Sequence, residues 1–331
     1  MIEKKLIERA LLLFLFLFVL SSCRDRTPQQ GRPEHDRSEE AGQETTHTEW
    51  YYDHLDGKRR DAYDAFRTAA EDPFRKEPVP ILSRQGEKEQ LTVSELDTVY
   101  QWFLYDHPEL FYLARSYRYR VCVAGDKGNG AERPEDAGPV GEGPEDTGPG
   151  GEGSEDADPG GEESADGVLV IPLPGSAEEI GQLGDRFPDA ADELISEAGG
   201  PESGAADPGT IYDLLARHAA YTEEALYDTS LVNEHTAYGA LVQKSAVCDG
   251  YALALKYLMD RCGIECIVIP GTVNGAPHVW NTAFWDGRWH EMDITWDASS
   301  GTGRQYFDLT TEEMNRDHER GPETEGMIPV S

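Results

Sequence analysis

Cys248, His278 and two aspartates, Asp293 and Asp297, fall within one stretch of this sequence, and together they have the parts of a thiol acyl-transfer site. The thiolate of a cysteine attacks a carbonyl, an imidazole takes the thiol proton and later protonates the leaving group, and a carboxylate holds the imidazole in one tautomer. Ser245-Ala246-Val247-Cys248-Asp249-Gly250-Tyr251 opens a run in which Tyr251, Leu255, Leu258 and Cys262 recur at helical spacing. That spacing predicts a helix with Cys248 at or just before its N-terminus. Unpaired N–H groups and the positive end of the helix dipole favour the thiolate there, so the expectation is a thiol that ionises easily.

The elements that must position the other two groups follow the helix. Gly263 is a stop signal, Glu265 to Pro270 reads as a short strand, and His278 to Trp285 and Arg288 to Thr295 read as two more. The last two flank Asp286-Gly287, a dipeptide that signals a two-residue hairpin turn. Pairing Trp285 with Arg288 then pairs Phe284 with Trp289, Thr282 with Glu291, Trp280 with Asp293 and His278 with Thr295. In this register His278 and Asp293 are diagonal neighbours on one face, with Cα atoms about 7–8 Å apart. His290 falls on the opposite face. Asp297 lies on the other diagonal of His278 if the strand continues that far, and the residues alone leave the two aspartates open.

Cys248-Asp249-Gly250-Tyr251-Ala252, Gly263-Ile264, Gly271, His278-Val279-Trp280-Asn281, Asp286-Gly287-Arg288-Trp289 and Asp293-Ile294-Thr295-Trp296-Asp297, in this order and spacing, resemble the bacterial transglutaminase-like superfamily. The resemblance extends to Tyr227-Asp228, to His235 through Leu241 and to Tyr306-Phe307. Asp106-His107-Pro108-Glu109-Leu110-Phe111 is similar to a segment found ahead of the core in lipoprotein members. The resemblance implies a papain-like fold and a Cys-His-Asp triad at Cys248, His278 and Asp293. It does not imply crosslinking, because the superfamily also holds proteases, amidases and inactive binding members.

The remainder reads as support and tether. The 331 residues carry a formal net charge of −35, with 38% hydrophobic and 28% charged residues, so part of the chain cannot belong to a packed core. Lys4, Lys5 and Arg9 precede an apolar run, Ala10 to Leu20, that is too short for an ordinary membrane span and matches a secretory signal over 1–22. Leu20-Ser21-Ser22-Cys23 resembles a lipobox, which implies lipidation of Cys23 and a place on the outer side of the cell membrane. Residues 23–47 lack apolar periodicity and read as a flexible tether. Residues 48–205 read as a helical region with helices at Trp50 to Arg67, Ser94 to Tyr105 and Ala177 to Ala198, plus a β-hairpin from Ser116 to Val123 and Val168 to Leu173. An acidic Gly/Pro repeat at 124–167 interrupts that hairpin, and its composition predicts a disordered insertion. Residues 206–331 make the core, which begins with a helix at Ile211 to Thr222.

Four cysteines remain if Cys23 is lipidated, and Cys122, Cys262 and Cys266 read as buried small apolar residues, with one disulfide among them left open. No metal or cofactor is expected, because there is no metal-ligand spacing, phosphate loop or dinucleotide fingerprint. The acidic charge argues against nucleic acid. His218, His235 and His318 read as structural, because nothing places them near Cys248. The sequence thus predicts an α+β protein, with a papain-like, transglutaminase-like core behind a helical region and a hairpin. The function expected is a cell-surface thiol enzyme acting on peptide or isopeptide amides of the envelope, hydrolysis ahead of crosslinking. The alternative is an inactive module that binds peptide or envelope material.

Overall fold

The computed structural model describes residues 49–83, 85–121, 140–142, 164–173, 176–200, 206–301 and 303–331. The expected signal segment 1–22, the tether 23–47 with Cys23, Cys122 and most of the acidic repeat lie outside the described residues. Those described fall within one compact unit, Glu44–Ser331. The regions expected at 48–205 and 206–331 therefore share one hydrophobic core.

The first half is built on helices α1 (Trp50–His54) and α2 (Gly57–Ala70), short strands β1 (Val79–Pro80) and β2 (Leu91–Thr92), and helix α3 (Val93–Asp106). The single helix expected from Trp50 to Arg67 is broken at Leu55 and Asp56, where the backbone is extended before Gly57 at φ +33°. A capping box starts α3: the Thr92 hydroxyl accepts from the Glu95 N–H while Glu95 accepts from the Thr92 N–H. Its inner face, Val99, Trp102, Phe103 and Tyr105, is buried.

Strand β3 (Leu113–Val121) pairs antiparallel with β5 (Ser164–Pro172), which is the expected hairpin. Ordered backbone intrudes further into the acidic segment than its composition indicates. Residues 164–167 belong to β5, and β4 (Val140–Glu142) pairs with β3. The sheet order is β1-β5-β3-β4, with β2 also on β5.

Helices α4 (Ala177–Glu197) and α5 (Pro208–His218) lead to β6 (Ala220–Tyr221), which pairs in parallel with β7 (Ser245–Ala246). Helix α6 (Cys248–Arg261) follows and ends at Gly263, whose φ of +76° a residue with a Cβ rarely adopts. It packs on a second antiparallel sheet of β8 (Glu265–Val273), β9 (Ala276–Trp285), β10 (Arg288–Met292) and β11 (His318–Arg320), in the order β10-β9-β8-β11. Asp286 and Gly287 both have positive φ, +49° and +82°, as a two-residue hairpin turn requires. Short helices α7 (Ile294–Ser300) and α8 (Thr311–Met314) close the core.

Candidate active site

The nucleophile candidate is delivered by β7. Val247 caps α6 with extended backbone, its N–H donates to the Glu234 carbonyl at 3.0 Å, and Cys248 is the first helical residue. As such its own N–H has no carbonyl one turn earlier to bond. Gly250 lets the first turn sit on the Val232–His235 loop, because a Cβ there would strike the Glu234 carbonyl. The backbone N–H of Val279, the residue after His278, faces the Cys248 sulfur and favours its ionised form.

The expectation of an easily ionised thiol is corrected. Cys248 is only 8% exposed, and burial pushes its thiol well up, with the charges of Asp249 and Asp293 adding to the rise. Arg115 and the Val279 N–H pull the other way without prevailing. A helix end is a local effect, whereas desolvation comes from everything packed around the sulfur.

Thr282 pairs with Glu291, Phe284 with Trp289 and Trp285 with Arg288, as the turn predicts. The expected pairs Trp280 with Asp293 and His278 with Thr295 do not form. β10 stops at Met292, and Asp293 becomes the N-cap of α7, with Oδ1 accepting from the N–H groups of Thr295 (2.9 Å) and Trp296 (3.3 Å). Its Oδ2 meets His278 Nε2 at 2.7 Å, so the predicted partnership holds by a different geometry. The Nδ1 of His278 has no hydrogen-bond partner among the described residues. Trp280 lies nearly parallel to the His278 ring, with centroids 6.4 Å apart, and its Nε1 donates to Glu291.

Asp293 is fully buried, which by itself raises a carboxyl, yet His278 and His318 together hold it down at about 2. Asp297 is turned away: it accepts from the Tyr212 hydroxyl (2.6 Å) and the N–H groups of Gln305 and Tyr306. His290 is also elsewhere, pairing with Asp308 at 2.6 Å and stacked on Trp285.

Residues that the sequence reading set aside join the site. His318, from β11, places Nε2 3.1 Å from Asp293 Oδ2. His235 places Nδ1 3.0 Å from Asp249 Oδ2, and Arg115, from β3, reaches the same oxygen at 2.9 Å. Burial would raise Asp249, but Arg115 first and His235 next keep it low, so the carboxylate beside Cys248 is compensated. No local pattern marks His318 or Arg115, because each arrives from a distant element, and the stretch from His235 that carries the resemblance does not show its pairing with Asp249. Ligating atoms of His278, Asp293 and His318 lie within 4.8 Å of one another. They close on each other by hydrogen bonds at 2.7 and 3.1 Å, which a divalent ion would have to displace.

Among curated proteins, the kyphoscoliosis peptidases of Mus musculus and Homo sapiens are each 33% identical over 61 residues, 15% of this chain. The chain spans 9% of the length of these curated relatives. Among solved structures, a TGase is 16% identical over 40% of this chain and 41% of its own, with a TM-score of 0.32. A candidate cysteine protease from Cytophaga hutchinsonii is 14% identical over 46% and 58%, with a TM-score of 0.27. The model of the transglutaminase-like superfamily matches residues 190–294, a span that holds Cys248, His278 and Asp293. Residues 190–294 are therefore the part of this chain that is similar to the transglutaminase-like superfamily.

Proposed function

We propose that this protein is a cysteine-dependent enzyme that cleaves peptide or isopeptide amides through a thioester on Cys248. One observation carries the reading: His278 is bonded through Nε2 to a fully buried, ionised Asp293, while the N–H of the next residue, Val279, faces the Cys248 sulfur. His278 Nδ1 takes the thiol proton as sulfur attacks the carbonyl carbon. The C–N bond then breaks, and the amine leaves with that proton. Water attacks the thioester in turn, His278 takes a proton from that water, the C–S bond breaks to release the acid, and the water's proton passes to the sulfur. The Cys248 N–H at the helix start faces the developing oxyanion. Peptidase activity belongs to the kyphoscoliosis peptidases by name and comes to this chain only as support for the reading.

Water is the default acyl acceptor, since no amine-binding group stands out beside Cys248 among the described residues. We place the enzyme at the cell envelope, held by lipid on Cys23; loss of labelled fatty acid in Cys23→Ala tests that placement. No helix among the described residues is long and apolar enough to cross a membrane.

The deciding experiment incubates the protein with a library of peptide amides and hydroxylamine. Hydroxamate formation that needs Cys248 and His278, with the acyl group mapped to Cys248, supports the reading. Peptide binding without any acylation of Cys248 replaces it with a non-catalytic module.

A further inference from the structure

Asp293 Oδ2 has two imidazole partners, and the reaction above uses only one. The second, His318, opens β11, a three-residue strand at the edge of the sheet, and stands opposite Val273 of β8. It is 1% exposed and lies outside the span that the superfamily model matches. Its Nε2 is 3.1 Å from Asp293 Oδ2 and its Nδ1 is 2.6 Å from Asp317 Oδ1. A neutral imidazole has a single N–H, so a ring with carboxylate oxygens at both nitrogens satisfies both only as the doubly protonated cation.

The surroundings hold this ring in place. Trp280 and Tyr306 pack against it with centroids 5.0 and 5.6 Å away, and the Tyr306 hydroxyl donates to the other oxygen of Asp317 at 2.7 Å. The titratable groups facing it are Asp293 at the start of α7, His278 from β9, Tyr306 from the loop before α8, and Asp317 next in sequence; β8 presents Val273. Gly271 lets β11 approach: a Cβ at that position would collide with the Glu319 carbonyl and the Trp280 ring.

We propose that His318 is a positioning residue for the acyl transfer, a cation that donates to Asp293 Oδ2 and fixes that carboxylate, ionised and in one orientation, as the partner of His278. The proposal rests on the catalytic reading of Cys248 and His278. The carboxylate has four donors on two oxygens: Thr295 and Trp296 on Oδ1, His278 and His318 on Oδ2. Without His318 the Oδ2 side would hang on His278 alone, and His278 is the group whose charge changes in each catalytic step. Burial, which would otherwise neutralise Asp293, is offset by a second ring that takes no part in the proton transfers of the reaction. Although burial disfavours the His318 cation, Asp293 and Asp317 more than restore it. Asp317 is a third exposed, so it supplies the balancing negative charge from the solvent side.

The test uses nitrogen-15 NMR of the imidazoles and steady-state kinetics on the full chain, in wild type, His318→Phe, His318→Gln and Asp317→Asn. In wild type, both His318 nitrogens should carry protons at neutral pH, and Asp317→Asn should lower the pH at which one is lost. His318→Phe keeps a ring but no donor; it should broaden or remove the downfield proton between His278 and Asp293 and cut kcat on the order of 10- to 100-fold, with KM unchanged. His318→Gln restores a donor to Asp293 and should recover most of that loss. A singly protonated His318 at neutral pH, or an unchanged downfield proton in folded His318→Phe, overturns the proposal. The NMR signals judge it even if wild type shows no turnover, an outcome that would sink only the catalytic reading.

Discussion

Asp293 has no exposed surface and an acceptor role at both oxygens, so its protonation state links catalysis to stability. Its carboxyl is held at about 2, against about 3.9 for an unperturbed aspartate. Between those values the unfolded chain binds the proton that the native chain refuses. The stabilisation is thus complete above pH 4 and is lost as pH falls toward 2, a contribution on the order of 2 kcal/mol. Asp293→Asn cannot ionise, so its urea midpoint should fall less steeply than wild type across that window. At neutral pH the same change should lower turnover by as much as about 10⁴-fold, because the amide no longer holds His278 in the right tautomer. Equal acid slopes in the two proteins would mean that the carboxyl is not depressed. A two-residue turn that fixes a register, with strand residues alternating faces, brought His278 to both Asp293 and Asp297, and the resemblance chose Asp293 between them. The strand's early end was not legible, since an aspartate that caps a helix looks in sequence like one more strand residue. His318 and Arg115 gave no signal, as their roles exist only after distant elements meet.

Helix α6 carries Cys248 at one end and a buried cation along its inner face. Lys256 is 1% exposed; its Nζ donates to Asp260 Oδ2 at 2.7 Å and to the Cys266 carbonyl at 2.9 Å, at the start of β8. Burial opposes its charge, but Asp260 and Asp106 keep it protonated, the latter at the end of α3. One ammonium thus ties the nucleophile helix to the sheet and to the first half of the chain. Lys256→Met preserves length and apolar stem but leaves the buried Asp260 carboxylate without its cation, and should cost about 3–5 kcal/mol in urea unfolding. A cost below about 1 kcal/mol would show that solvent reaches the pair as it does on a surface. Cys262 and Cys266 are free thiols beside this anchor, with the Asn281 amide facing the Cys266 sulfur. Long periodic elements such as α3, α4 and α6 were readable from their apolar spacing and caps. Two-residue strands such as β1 and β7 were not, because they are too short for any period and exist by pairing alone.

At the scale of the molecule, the first half does more than stand beside the superfamily domain. The matched span begins inside α4, at residue 190, so it cuts a helix rather than a linker. Across the boundary expected near 205, the Tyr51 hydroxyl donates to the Val268 carbonyl at 2.7 Å, and Trp50 Nε1 donates to the Met327 carbonyl at 3.1 Å. Phe111 stacks on Tyr238 with centroids 4.8 Å apart, and Phe187 packs on Tyr257 at 4.5 Å. Arg115 reaches Asp249 from the same side. Tyr51, Phe111 and Phe187 are buried against this core, and burying each ring is worth about 1.5–3 kcal/mol. Their sum approaches the about 5–15 kcal/mol that is the whole net stability of a typical domain. A fragment of 206–331 would lose those rings, expose the faces of Tyr238 and Tyr257 that they cover, and leave Asp249 without its Arg115 partner. It should therefore show no cooperative thermal transition by circular dichroism, whereas 49–331 should unfold in one step. A sharp transition in the 206–331 fragment would show instead that the domain folds alone and that the first half is an attachment to it.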